Sequence, residues 1–380
     1  MKALIITPNY PSQKTPQNGS FVHQLLIEWG KIGLEPLVIN PQSIPNFLRS
    51  FKNKKKNLNP FNFNVKRPLY VTFGTGYFSR LNLKIFKSLS FYLSIKMVKK
   101  DLDEVSFLYG KFLLTGGYAV ARLKKKHSLP AFVDIGESTL FESLDQNELE
   151  FAKSFIKQID GFICVSHKLK HELLELGAKE EDILLSPNGV NLDKFKILDK
   201  AECREKIGLL ESDFVIIFVG NFIERKGPNR IIEALNLLNL KIEILFIGQG
   251  PINVECKYTF FKGTVLNEEL PRYLNCADLF VLPTLAEGNC NAINEAKACG
   301  LPILSSDIPE IKEQVSTNEG ILVNPLSIEE IADGINFFYN NPLLREKIKK
   351  NLIGERNNLS LQSRAQKIDN WIKKKLNNEC

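Results

Sequence analysis

Ala277-Asp278-Leu279-Phe280-Val281-Leu282-Pro283-Thr284, followed two residues later by Glu287-Gly288-Asn289-Cys290-Asn291-Ala292-Ile293-Asn294-Glu295, decides the architecture of this chain. The first run is apolar and stopped by proline, which predicts a strand. Residues 292–299 predict a helix, closed by Gly300 and Pro302. Glu287 therefore falls on the loop after a strand, and Glu295 two turns into the following helix. In an open parallel sheet, a loop running into a helix N-terminus leaves backbone N–H groups free to face an anion, and a diphosphate fits there. Two glutamates separated by seven residues also arise by chance in a chain that is 24% charged, so the spacing alone decides nothing.

Upstream, residues 214–219 are a continuous apolar run of the kind a buried parallel strand requires. Gly220 opens a turn, and Arg225 and Lys226 follow at the mouth of a second helix. Cations and free backbone donors then share the C-terminal edge of the sheet, where such folds bind ligands. The dipeptide alone reads equally well as a solvated surface pair. Gly248-x-Gly250 after residues 246 and 247 is a strand-to-turn signal that borders a base or ribose at most.

Taken together, these segments resemble glycosyltransferase family 4, the group 1 retaining glycosyltransferases of the GT-B fold. Leu282-Pro283 through Gly300-Leu301-Pro302 is similar to the family's C-terminal signature. Val165-Ser166 with Leu169, Leu173 and Leu176-Gly177 resembles the helix closing its first domain. Pro187-Asn188-Gly189-Val190-Asn191-Leu192-Asp193-Lys194-Phe195 resembles its interdomain connector, and Phe218-Val219-Gly220 with Arg225-Lys226-Gly227 its donor-phosphate loop. Phe246-Ile247-Gly248-Gln249-Gly250-Pro251 resembles the strand and turn after it. The likeness covers residues 160–325; before that it is limited to Asn18-Gly19-Ser20-Phe21-Val22 and the alternation of strand and helix.

The resemblance implies an α/β GT-B protein with two Rossmann-like domains facing across a cleft. Residues 1–187 would bind acceptor, residues 188–355 the nucleotide sugar, and a helix in residues 356–380 would cross back onto the first domain. It implies transfer of a hexose-type sugar, with retention and without metal or cofactor, from a nucleotide-diphosphate sugar, chiefly a UDP-sugar, to a lipid-linked or oligosaccharide acceptor. Catalytic candidates are Glu287, Lys226 and Glu137. Donor-binding candidates are Gly19, Asn221, Arg225, Lys226, Gly248, Gly250, Glu287, Gly288, Asn289, Cys290, Asn291, Ala292 and Glu295. Lys226 and the helix start would hold the diphosphate, Glu287 the sugar hydroxyls and Glu295 the ribose. The implied setting is bacterial surface polysaccharide synthesis, O-antigen or capsule, by fold analogy.

Two departures stand out. Asn221 occupies the place where the family often has an Arg. The stretch Pro130-Ala131-Phe132-Val133-Asp134-Ile135-Gly136-Glu137-Ser138 has no His where many members carry one. Glu137 is the replacement candidate as base for the acceptor hydroxyl, since burial raises a carboxyl towards neutrality; capping of the next helix by Ser138 is the competing reading. Of His23, His127, His167 and His171, only His23 follows the glycine turn and could face a cleft. His167 and His171 lie among lysines without a third ligand, which argues against a metal site. Asp101-Leu102-Asp103 lacks the preceding apolar strand of a metal-binding D-x-D.

With 380 residues, 44% of them hydrophobic, the chain can build two cores. Seven cysteines without a C-x-x-C pair predict reduced thiols and a cytoplasmic protein. The apolar N-terminus reads as a first strand rather than a signal peptide, and no run approaches the ~20 residues of a membrane span.

Charge is unevenly placed. Residues 36–100 contain no Asp or Glu and thirteen cations: Arg49, Lys52, Lys54, Lys55, Lys56, Lys66, Arg67, Arg80, Lys84, Lys87, Lys96, Lys99 and Lys100. The chain's net +7 leaves −6 for the remainder. Phe47, Phe51, Phe61 and Phe63 are interleaved, and residues 81–97 can form a helix with an apolar stripe and lysines opposite. The segment 47–100 thus predicts contact with an anionic membrane surface, at the inner face of the cytoplasmic membrane. A nucleic-acid partner lacks any accompanying motif. The competing functional readings are a non-catalytic sugar-binding or scaffold subunit of a polysaccharide assembly and a GT-B epimerase or phosphorylase. A dinucleotide oxidoreductase would need a G-x-G-x-x-G that neither half contains.

Overall fold

The structure is a computed structural model and describes every residue except 13, 14, 16, 17, 46, 48–62, 73–82, 97–103, 212 and 378–380. Most of the cationic segment's loop residues, Asp101-Leu102-Asp103 and Cys380 lie outside the described residues. The chain divides into two compact units, Met1–Pro187 with Arg364–Cys380, and Asn188–Ser363. Residues 356–363, grouped in the sequence reading with the terminal helix, pack in the second unit. The reason is local pairing: Val190 N–H donates to Leu359 O at 2.7 Å and Leu361 N–H to Val190 O at 2.9 Å. Arg356 also reaches Ala298 O at 2.9 Å and Phe195 O at 2.8 Å.

The described strands of the first unit are β1 (Lys2–Ile6), β2 (Glu35–Ile39), β3 (Gln42–Ser43), β4 (Asn64–Lys66), β5 (Leu69–Tyr70), β6 (Phe107–Lys111), β7 (Ala131–Ile135), β8 (Gly161–Cys164) and β9 (Ile183–Leu185). Seven of them form a parallel sheet in the order β4-β2-β1-β6-β7-β8-β9, while β3 and β5 make a separate parallel pair. The second unit contributes β10 (Phe214–Val219), β11 (Ile242–Ile247), β12 (Thr259–Gly263), β13 (Leu279–Leu282), β14 (Ile303–Ser306) and β15 (Gly320–Val323). Their order is β12-β11-β10-β13-β14-β15, again parallel. In both sheets the chain winds outward one way, then returns to the centre and winds the other. The reversal falls between β1 and β6 in the first unit and between β10 and β13 in the second, and such crevices beyond the strand C-termini are where open α/β sheets bind ligands.

Both sheets are covered on both faces, which explains their unbroken apolar strands. Ile216, Ile217 and Phe218 of β10 and all of β13 are fully buried. The terminal helix Leu361–Asn377 lays Leu361, Ala365, Ile368 and Ile372 inward, the spacing of one helical face. From Arg364 onward it belongs to the first unit. Trp29 N–H donates to Ala365 O at 3.0 Å, and Trp371 stacks edge-on against Phe132 with centroids 5.8 Å apart. Gly161 makes room for that indole, since a Cβ there would lie 2.3 Å from the Trp371 ring. Among the described residues no helix is long and apolar enough to cross a membrane.

Candidate active site

At the reversal point of the second sheet, two loops are laced together. The first follows β10 and turns through a short 3-10 segment, Glu224–Lys226, into the helix Pro228–Leu237. The second follows β13 and runs into the helix Asn291–Ala298, one residue earlier than the periodicity predicts. Leu285 N–H donates to Arg225 O at 2.8 Å, Arg225 Nη1 to Ala286 O, and Arg230 Nη2 to Pro283 O at 2.9 Å. Gly227 makes this approach possible: its φ is +73°, and a Cβ would lie 2.5 Å from Pro283 O.

Lys226 and Glu287, 61 residues apart in sequence, meet inside this lacing, with Nζ 2.5 Å from Oε1. Thr284 Oγ1 donates to the same carboxyl oxygen at 2.8 Å, and Arg225 Nη1 lies 3.5 Å away. Glu287 is buried, whereas Arg225 is about one-third exposed. Thr284 was missed in the sequence reading; a hydroxyl between the strand-stopping proline and the glutamate was its only signal. Asn221 is exposed and Gly288 is buried.

The remaining donor candidates divide. Asn289 is engaged internally: its Oδ1 accepts from Asn188 N–H at 3.0 Å and from Asn294 Nδ2 at 3.0 Å. Gln314 closes this amide network through Cys290 N–H at 3.0 Å and Cys290 O at 2.7 Å. Cys290 is buried at the helix start, with its thiol pushed up to about 11 by burial, while Asn291 and Ala292 begin the helix half-buried. Gly248 and Gly250 hold their turn against the first loop, where a Cβ would lie 1.9 Å from Gly220 O and 2.3 Å from Phe222 O respectively. Burial pushes the Glu295 carboxyl up to about 7, against the pull of Lys194, which also feels Glu268. No periodicity or motif in the sequence flagged Lys194 as its neighbour.

The first unit has its own cluster at the reversal between β1 and β6. Lys111, the last residue of β6, is buried and pairs with Asp134 of β7 at 2.8 Å. Tyr109 OH donates to Asp134 Oδ2 at 2.7 Å, and Arg364 approaches it at 3.3 Å. Burial works to raise the Asp134 carboxyl, but the Lys111 and Arg364 cations outweigh it and hold it below the usual range. The chain then takes a left-handed step at Phe112, φ +67°, into a π-helical turn, Phe112–Gly117. Both features concentrate at functional sites. Glu137 is drawn into this corner. Its Oε1 accepts from Leu113 N–H at 2.6 Å, while the buried Oε2 has no hydrogen-bond partner among the described residues. Burial pushes Glu137 up to about 7, against the opposing pull of the Leu113 amide and Lys111. Ser138 does not cap the next helix; Asp145 does, in a capping box with Glu148.

Gly19 sits at φ +71° at the start of Ser20–Lys31, where a Cβ would lie 2.3 Å from Asn9 O. His23 does not line an opening: it is buried against Tyr10, whose hydroxyl lies 2.8 Å from Nδ1, and Phe63. Burial lowers it to about 4. His171 pairs with Glu175 on an exposed face at 2.9 Å. No group of three or more metal-type ligands occurs among the described residues.

A cavity of about 510 Å³ in the second unit opens at the opposite, N-terminal end of the strands. Its lining includes the ion pairs of Arg204 with Asp278 at 2.8 Å and of Lys241 with Asp213 at 3.0 Å.

Residues 199–353 match the family model for glycosyl transferases group 1. Over 364 residues, 93% of this chain and 92% of the relative, the chain is 25% identical to the putative teichuronic acid biosynthesis glycosyltransferase TuaC of Bacillus subtilis (strain 168). The chain is a glycosyltransferase of the GT-B fold. A second relative of this glycosyltransferase is the UDP-Gal:alpha-D-GlcNAc-diphosphoundecaprenol alpha-1,3-galactosyltransferase of Escherichia coli, 28% identical over 60% of this chain and 64% of the relative. The fold is shared with Anabaena Alr3699/HepE in complex with UDP and glucose, at TM-score 0.76 and 17% identity over 98% of this chain and 100% of that one. In the glycosyltransferase described here, the residues that match the group 1 model and the Lys226–Glu287 pair fall in the same unit.

Proposed function

We propose that the enzyme is a retaining, metal-independent glycosyltransferase of family 4 that moves a sugar from a UDP-sugar to a hydroxyl of a lipid-linked saccharide in surface polysaccharide synthesis. The observation that carries this reading is the convergence of Lys226, Arg225, Thr284 and Glu287 at the reversal point of the second sheet. A diphosphate entering there would draw the Lys226 ammonium from Glu287 and leave that carboxylate to accept hydroxyl hydrogen bonds from the donor sugar. Lys226 and the N–H groups of the adjoining helix starts would then balance the charge that develops as the nucleoside diphosphate departs. Glu137, with its free buried oxygen, is the group that would take the acceptor hydroxyl's proton. The relatives named for teichuronic acid and for a diphosphoundecaprenol acceptor support the pathway and the acceptor class. A peripheral place at the inner face of the cytoplasmic membrane follows from that acceptor.

The test is nucleotide release from UDP-, GDP-, ADP- and CMP-sugars, with membrane extract as acceptor source, in EDTA, for wild type, Lys226→Ala and Glu287→Ala. Release confined to one donor class, insensitive to EDTA and abolished in both variants is expected. The anomeric configuration of product, read by NMR, reports retention. Loss in EDTA restored by a divalent ion would overturn the metal-independent part, and nucleotide binding without release from any donor would favour a non-catalytic subunit.

A further inference from the structure

Lys111 ends β6 at the C-terminal edge of the first sheet, yet its side chain is buried. A buried ammonium persists only where it is paired. Its Nζ lies 2.8 Å from Asp134 Oδ1 and over two rings, 5.2 Å from the Phe21 centroid and 6.0 Å from that of Phe112. Asp134 is shared, because Tyr109 OH and Arg364 Nη2 both address its Oδ2. The other bond of Arg364 goes to a neutral acceptor, Ser186 O, at 3.3 Å. Two buried cations therefore face one carboxylate. The backbone that carries Glu137 runs past this ammonium: Gly136 is exposed, and a Cβ there would lie 3.8 Å from Lys111 Nζ and 3.9 Å from the Phe112 ring.

The balance of charge decides which state of Glu137 fits this corner. With Glu137 protonated, Lys111, Arg364 and Asp134 leave one positive charge unbalanced; with Glu137 ionised, the four groups are neutral together. Among the described residues, the charged groups that act on Glu137 are Lys111 from β6 and Asp134 from β7, and Asp134 is in turn held by Tyr109 and by Arg364 of the terminal helix. Burial favours the protonated carboxyl and Asp134 adds to that, while the Leu113 amide and Lys111 pull the other way. Without Lys111, Asp134 and Arg364 would cancel and the cation surplus would be gone. A carboxyl that already holds its proton cannot take one from a hydroxyl.

We infer that Lys111 is a positioning residue for the transfer: it holds Glu137 ionised, so that Oε2 can take the acceptor hydroxyl's proton while the hydroxyl oxygen bonds to the donor's anomeric carbon and the diphosphate leaves with the electron pair of the broken bond. The inference rests on the reading of Glu137 as the base, but the effect of Lys111 on that carboxyl needs no transfer reaction. Carbon NMR titration of the full chain, labelled at the glutamate Cδ and with the Glu137 signal assigned by its loss in Glu137→Gln, tests it. In Lys111→Gln the Glu137 midpoint should rise by about one pH unit. In Lys111→Gln with Asp134→Asn, which removes the pair as a unit and so keeps the fold where the single variant strains it, the midpoint should fall back towards wild type, because the negative charge that opposed ionisation has gone as well. Nucleotide release by Lys111→Gln should drop several-fold near neutral pH and recover as pH rises, a recovery that lost packing alone would not give. A midpoint unmoved or lowered in Lys111→Gln, or displaced further in the double variant than in the single one, would overturn the inference. Release retained in full by Glu137→Gln would overturn Glu137 as the base, a failure that the titration separates from a failure of Lys111 to set its charge.

Discussion

The two reversal points are built on opposite plans. In the second unit the polar groups are matched before any ligand arrives: Lys226, Thr284 and Arg225 all address Glu287, and the positive φ at Gly227 is carried by glycine. In the first unit the positive φ is carried by Phe112, a lysine and an aspartate are buried as a pair, and Glu137 keeps one covered oxygen unmatched. A matched site can wait for a charged ligand that exchanges partners. An unmatched, strained one is ready for a group that supplies a hydrogen bond, and it holds its geometry only because the surrounding network over-determines it.

That network sets the largest expected effect. Asp134→Ala strips Lys111 and Arg364 of their buried carboxylate and should cost about 3–5 kcal/mol of stability in urea denaturation, the usual result of leaving a buried charge uncompensated. A loss below about 1 kcal/mol would mean that the pair is hydrated in solution. In the second unit the large effect should be on chemistry. Lys226→Ala is expected to lower nucleotide release by about 10²–10³-fold, the scale for removing one preorganised stabiliser of developing charge.

Backbone strain separates the sites further. Gly227→Ala puts a side chain on a left-handed residue 2.5 Å from Pro283 O and should destabilise by about 2 kcal/mol. Phe112→Gly, which relieves the left-handed strain while losing a half-buried ring, should stay within about 1 kcal/mol of wild type. Equal costs for the two would erase the distinction.

The two units also differ in pH dependence. Glu137 has its folded value raised from 4.5 to about 7, so the native state holds that proton more tightly than the unfolded chain. Its contribution is complete below pH 4.5 and is lost as pH rises to about 7; Glu295, also raised to about 7, acts in the same sense. His23, lowered from 6.5 to about 4, acts oppositely: its contribution is present above 6.5 and is lost as pH falls through 4. Glu137→Gln should therefore flatten the decline of stability between pH 4.5 and 7 by up to about 3 kcal/mol, seen in denaturation at both pH values. An unchanged slope would mean that the Glu137 carboxyl is solvated.

How far each site can be read in the sequence follows from these plans. Lys226 and Glu287 are far apart in sequence, yet each lies a few residues beyond an apolar strand, and parallel topology brings all strand C-termini to one edge. Pro283, Gly220 and Gly227 punctuate those ends, so both side chains were legible. Lys111 and Asp134 sit inside apolar strands, where nothing local marks a charge as paired, and Arg364 reaches Asp134 from 230 residues away. The left-handed turn at Phe112 runs against its residue type, since tertiary packing and not propensity dictates it. Glu295 was placed on its helix correctly, but its Lys194 neighbour depends on how the connector folds back, which no spacing reveals. For His23 the sequence left a cleft-facing position open, because adjacency to a glycine turn says nothing about the Tyr10 and Phe63 rings that pack against it.

The central claim is that the nucleoside diphosphate binds at the Lys226–Glu287 pair and not at the Glu137 corner. Titration calorimetry of UDP against wild type, Lys226→Ala and Glu137→Gln tests it most directly. The account predicts affinity at least about tenfold weaker for Lys226→Ala and unchanged for Glu137→Gln. Undiminished UDP binding by Lys226→Ala, or loss of it in Glu137→Gln, would contradict it.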